Sequence, residues 1–126
     1  FLHRSNNDPS LKLDAAVAQW KIAKLVQLSG RRDEFDRSMR EAITSLENAY
    51  DSTQNQEILG LLIQARIELA WHHVELGDFD ESLTLMEISA RRLPDFESGQ
   101  EMQLAASLIE NAKASLYFRK GDLTQS

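Results

Sequence analysis

Apolar and polar positions alternate along this chain at helical, not strand, spacing. From Phe35 to Ala49 the apolar residues Phe35, Met39, Ala42, Ile43, Leu46 and Ala49 advance by steps of 4, 3, 1, 3 and 3, which is one face of a helix. Start and stop signals divide the rest in the same way. Asp8-Pro9-Ser10 opens a first helix, with Pro9 at the first helical position where its missing N–H costs nothing, and the helix runs to about Ser29 before Gly30. Asp33 is placed to cap the second helix. Thr53 with Gln56 makes a capping box for a third, which continues to Leu76 and stops at Gly77. Asp78 and Glu81 repeat that logic for a fourth helix with a stripe of Phe79, Leu83, Met86, Ala90 and Leu93, ended by Pro94. Ser98 and Glu101 cap a fifth that runs to about Lys120 before Gly121, and Asp122 with Gln125 reads as the opening of a sixth.

These helices are of two kinds. The second and fourth carry one narrow apolar stripe, so each packs on one side. The first, third and fifth are apolar over a wide arc: in the first, Leu11, Leu13, Val17, Trp20, Ile22, Leu25, Val26 and Leu28 do not fit one stripe, and Ile58 to Leu76 in the third behaves alike. Such helices are expected to be covered on more than one side. Broad-faced and narrow-faced helices alternating in antiparallel hairpins describe an all-α fold of the α-solenoid kind.

Composition narrows the function classes. The 126 residues hold 5 Gly and 2 Pro, too few for a turn-rich all-β domain. The absence of Cys excludes a disulfide scaffold, a thiolate metal site and a cysteine nucleophile. A formal charge of −6 opposes nucleic-acid binding, which draws on Lys and Arg contacts to phosphate, and opposes an anionic membrane surface. Apolar runs such as Leu61-Leu62-Ile63 are far shorter than the roughly 20 residues that span a bilayer.

The turn signals also repeat. Gly77-Asp78-Phe79-Asp80-Glu81-Ser82 recurs as Gly121-Asp122-Leu123-Thr124-Gln125-Ser126, and an expanded version follows Gly30, with Arg31 and Arg32 before Asp33-Glu34-Phe35. One small residue, Ala23, Ala70 or Ala114, precedes each glycine by the same interval, and Ser38, Ser82 and Ser126 line up on the following helices, with Ser45 and Ser89 behind them. Small side chains at matched places on both arms of a hairpin let the helix axes approach closely. With these residues the chain resembles the tetratricopeptide repeat family, best over Ile63 to Phe96, where Leu69-Ala70, the Gly77 turn, Met86, Ser89 and Pro94 match its small-residue and proline positions. Arg66 and His73 stand at positions the family usually fills with aromatics, and Tyr50 stands where the first copy would have proline. The spacing exceeds the family's usual period of about 34 residues because each first helix begins about two turns early. Such long-helix repeats are similar to those of bacterial regulatory proteins, among them large transcriptional activators and some diguanylate cyclases.

The resemblance implies a binding module that presents the first helix of each hairpin to a protein or peptide partner or a small effector. It places the partner-binding residues at Lys24, Gln27, Gln64, Trp71, Glu75, Asn111, Ser115 and Arg119. The basic clamp of chaperone-binding members is not reproduced. Residues 1–126 then form one repeat region, with repeats over about 9–52, 53–97 and a shortened 98–126, in a larger cytoplasmic, bacterial signalling protein. Phe1 in place of Met and the Gln125-Ser126 end read as cut edges. The alternative is an oligomerisation element, a homodimer through the last helix, whose stripe Met102, Ala105, Ile109, Ala112 and Leu116 is expected to need a cover.

Other candidate chemistry is sparse. His72-His73 has Glu68 and Glu75 nearby in sequence, but adjacent helical residues point about 100° apart, so both histidines do not ligate one ion from a regular helix. His73 is expected to pack and His72 to be solvated. Trp20 reads as packing, and Trp71 is balanced between packing and ligand stacking. Arg31-Arg32 and Arg91-Arg92 read as solvated surface. No nucleophile elbow or phosphate-cradling glycine loop occurs, and no metal, cofactor or catalytic residue is assigned; the segment is not expected to be an enzyme, a metal-dependent one using His72 being the least favoured alternative.

Overall fold

The computed structural model describes the backbone of residues 9–125 and the side chains of residues 11–121. Asp8 as a helix cap, the side chains of Asp122 to Gln125 and all of Ser126 lie outside that range. The described chain is all-α: α1 (Pro9–Leu28), α2 (Arg32–Thr53), α3 (Gln56–Glu75), α4 (Phe79–Arg91), a short 3₁₀ turn (Leu93–Asp95) and α5 (Gly99–Gln125). It divides into two compact units, residues 1–65 and 66–126, the division falling inside α3. None of the described helices is long and apolar enough to cross a membrane.

In the first unit α1 packs along α2. The stripe read from the sequence is the buried face of α2: Phe35, Met39, Ala42, Ile43, Leu46 and Ala49 are all buried, with Tyr50 beside them. Among the described residues of α1 only Ala16, Ala23 and Val26 are buried, and Ile22, Leu25 and Leu28 are exposed. The wide apolar arc of α1 is therefore covered on one side, not on several. The wide arc of α3 is buried through both units, at Ile58, Leu59, Leu62 and Ile63 in the first and at Ile67, Leu69, Ala70 and Val74 in the second.

Helix ends correct several of the expected caps. Asp33 lies in the first turn of α2, whose cap position is Arg31, so its carboxylate stands near the positive end of the helix without being the cap. Thr53 ends α2 rather than starting α3, and its hydroxyl donates to the Ala49 carbonyl at 2.8 Å. Gln54 adopts a left-handed conformation (φ 56°), and Asn55 does the capping, its Oδ1 accepting from the Ile58 N–H at 3.1 Å. Asn is among the strongest caps, and a left-handed residue just past a helix lets the chain reverse at once. Ser98 caps α5 as expected, its Oγ accepting from the Glu101 N–H at 3.3 Å.

In the second unit α3 and α4 form a hairpin through Gly77, at φ 80°. The Gly77 N–H donates to Val74 O at 3.1 Å and the Asp78 N–H to His73 O at 2.9 Å, the paired bonds of a Schellman turn. Ser82 is wholly buried and its hydroxyl donates across the hairpin to Ala70 O at 2.8 Å, so the small residues do bring these helices together. That contact shifts the buried face of α4 to Ser82, Leu85, Met86 and Ser89, while Phe79, Leu83, Ala90 and Leu93 are half-buried. The helix stops at Arg91, and Leu93 and Pro94 belong to the 3₁₀ turn.

α5 packs on α4 and the 3₁₀ turn. It also corrects two expectations. It continues through Gly121 to Gln125, so the expected opening of a sixth helix is the end of the fifth. Gly121 is not among the glycines at positive φ, and without that conformation a glycine extends a helix at a cost of about 1 kcal/mol relative to Ala instead of ending it. The stripe expected to need a cover is already largely covered: Ile109, Ala112 and Leu116 are buried and Ala105 is half-buried, with only Met102 exposed.

Candidate functional site

The polar positions assigned from the repeat resemblance fall on three helices. Lys24 and Gln27 lie near the end of α1, and Gln64 is half-buried on the part of α3 that belongs to the first unit. The Lys24 ammonium sits 4.9 Å from the centroid of Trp20 one turn earlier, a cation–π contact that holds the half-buried indole against its own helix. In the second unit Trp71 and Glu75 are exposed one turn apart on α3. Asn111, Ser115 and Arg119 follow at successive turns along one face of α5, the first and last exposed and Ser115 half-buried. Each helix thus brings its own members onto one side. Trp71, 39% exposed on a helix that is otherwise mostly buried, is the largest side chain among them that meets solvent.

The histidine pair has a structural task. Both rings are buried, which corrects the expectation that His72 is solvated, and they meet edge to face with centroids 5.5 Å apart. His73 Nδ1 lies 3.2 Å from Asp78 Oδ2, across the turn whose backbone bond runs from Asp78 to His73. Asp78 occupies the cap position of α4, yet its carboxylate makes this contact instead of a side-chain cap. The pair therefore fastens the hairpin turn. Among the described residues, no cluster of three or more His, Cys, Asp or Glu side chains is arranged to hold a metal ion.

The arginine pairs are engaged locally. Arg31 Nη1 is 2.8 Å from Glu34 and its Nε donates to Ser29 Oγ at 2.9 Å, while Arg92 Nη1 is 3.1 Å from Asp95. Arg32 and Arg91 are exposed. Exposed pairs of this kind contribute roughly 0–1 kcal/mol each.

Three features escaped the sequence reading. Arg66 is 5% exposed, a cation on α3 drawn into the interior, at a position where the resembled repeats carry an aromatic and whose burial went unread. The outer side of α2, with Gln19 of α1, forms an open groove of about 800 Å³ lined by Asp33, Asp36, Arg37, Arg40 and Glu41 among others. Its charges are of both signs, and Arg40 pairs with Asp36 within it, so it favours neither anion nor cation. A large polar arc on α2 was legible, but not its concavity. The third feature is on α5: Leu104, Leu108 and Phe118 are exposed on the same side as Asn111 and Ser115. No protein-family model, curated protein or solved structure matches this chain.

Proposed function

We propose that the chain is a protein-interaction module, a tetratricopeptide-like run of helical hairpins within a larger cytoplasmic, bacterial regulatory protein. Its ligand is a peptide or partner domain, with a small effector as the other ligand class. It meets the outward sides of the first helices, where Lys24, Gln27, Gln64, Trp71, Glu75, Asn111, Ser115 and Arg119 stand. The observation that carries this reading is the exposed apolar surface beside these positions: Leu25 and Leu28 next to Lys24 and Gln27, Leu76 next to Glu75, and Phe118 next to Arg119. Clustered large apolar side chains rimmed by polar ones mark association surfaces. The polar members would fix orientation and Trp71 would anchor, since exposed Trp in a partly sheltered site is the residue type most enriched among binding hot spots.

Panning a random-peptide library against the immobilised chain tests it. Enriched peptides are expected to bind, and Trp71→Ala is expected to weaken that binding about tenfold or more, as loss of an aromatic anchor does. An unchanged helical circular-dichroism spectrum guards against misfolding. Absence of any enriched peptide, or binding indifferent to Trp71, would count against the reading.

A further inference from the structure

The exposed side of α5 is a seam. Leu104, Leu108, Asn111, Ser115 and Phe118 are spaced by 4, 3, 4 and 3 residues, the heptad rhythm that keeps one stripe facing a partner helix. Leu104 is 67% and Phe118 74% exposed, so the two ends of the stripe are open, while Leu108 at 37% and the half-buried Ser115 lie lower between them. It lies apart from Ile109, Ala112 and Leu116, which already pack inside the second unit.

The sequence of this seam is complementary to itself when reversed. Turned end for end about Asn111, Leu104 comes opposite Phe118, Leu108 opposite Ala114 with Ser115 beside it, and Asn111 opposite Asn111. The small Ala114 and Ser115 leave room for Leu108 as a knob, and Leu104 and Phe118 bring two large apolar groups together at each end. At the edges the same operation sets Glu101 of each helix opposite Gly121 of the other, two residues or about 3 Å of rise from Arg119, whose long side chain spans that offset. Glu101 and Arg119 are both exposed and both flank the stripe on the same side, so a two-fold axis brings them together twice. A parallel pairing would instead oppose Glu101 to Glu101 and Arg119 to Arg119, which is repulsive. We propose that this face of α5 binds the same face of a second copy of the chain in antiparallel, two-fold fashion, with Asn111 on the axis.

A polar Asn at a seam position sets register and orientation because any slip buries its amide without a partner. One helix pair buries no more than the low end of the roughly 1,200–2,000 Å² found in stable interfaces, so the dimer should dissociate on dilution through the micromolar range. The inference goes beyond the interaction reading above: it assigns Asn111, Ser115 and Arg119 to the second copy and leaves the α1 and α3 positions to a foreign partner. Failure of one does not entail failure of the other, because Trp71 lies on a different helix.

Sedimentation equilibrium over a concentration series tests it. A reversible monomer–dimer equilibrium is expected in wild type, and Leu104→Glu or Phe118→Glu should weaken it about tenfold or more, with circular dichroism unchanged because both side chains are exposed. Glu101→Arg and Arg119→Glu should each weaken the dimer, and the two together should restore it. The chain contains no Cys, so Asn111→Cys supplies a single thiol, which should cross-link two copies rapidly under mild oxidation, whereas Glu101→Cys should not. A chain that stays monomeric throughout, a dimer indifferent to Leu104 and Phe118, or a double charge swap that fails to restore it would overturn the proposal. Monomeric behaviour would mean that the stripe serves a different segment.

Discussion

The same short signal occurs twice in this chain and gives two different structures. Gly77-Asp78 ends a helix and reverses the chain, whereas Gly121-Asp122 lies inside a helix that runs on to Gln125. The glycine and the aspartate are common to both, so the difference lies in what stands behind them. Ala70, seven residues before Gly77, is buried and receives the Ser82 hydroxyl, and His73, four residues before it, is buried and meets Asp78. The counterparts before Gly121 are Ala114 and Tyr117, and both are exposed. With the side of α5 that carries Ala114 and Tyr117 in solvent, the second signal has nothing to reward the left-handed glycine conformation. Turn signatures thus set what a backbone permits, while the burial of the preceding helix face decides whether the permission is used.

This comparison can be broken or sharpened by substitution. The largest expected effect comes from the buried side of α5: Leu116→Ala should cost about 2–5 kcal/mol, while its exposed neighbour Phe118→Ala should change monomer stability by no more than about 0.5 kcal/mol, both read from urea unfolding. Equal costs would mean that the two faces of α5 had been interchanged. Next come the two glycines. Nothing lies within 4 Å of a β-carbon built on either, so only backbone conformation separates them. Gly77→Ala should cost about 1–2 kcal/mol through its positive φ, whereas Gly121→Ala should stabilise the helix by up to about 1 kcal/mol. Opposite signs in thermal unfolding are the expected outcome, and a penalty at both would show that Gly121 also turns the chain.

The smallest effects should separate the two buried serines of α4. Ser82→Ala removes the bond to Ala70 and should cost about 0.5–1.5 kcal/mol. Ser89 is equally buried, but among the described residues its hydroxyl has no hydrogen-bond partner, so Ser89→Ala should be neutral or slightly stabilising. A clear loss at Ser89 in the same unfolding assay would reveal a bond made by that hydroxyl in solution.

What was legible in the sequence follows the same line. The buried face of α2 was readable residue by residue because its polar side is strongly polar and leaves one choice. The turn at Gly77 and the cap at Ser98 were readable because their signals are local and their contacts form within a turn or two. The buried face of α5 was read correctly as a stripe but wrongly as one awaiting a cover. Ile109, Ala112 and Leu116 and the opposing set of Leu104, Leu108 and Phe118 are both apolar at helical spacing, and only packing against α4 chooses between them. The α3 cap was missed because Thr53 and Asn55 are both good caps, and the choice rests on Gln54 taking a conformation uncommon for its type. On the candidate site, the sequence placed polar residues on helix faces but gave no sign that His72 would be buried, and for Arg66 the one sign was its standing at a usual aromatic position of the repeat.

The two tryptophans have a practical consequence. Trp20 falls in the first unit and Trp71 in the second, and they are the only two in the chain. One indole lies half-buried under an ammonium group and the other meets water, so their emission should differ in wavelength and in access to quenchers. Single replacement of either by Phe leaves an intrinsic optical probe of the other unit. Melting followed through each in turn would then show whether residues 1–65 and 66–126 unfold together or one after the other, without attaching a dye to either.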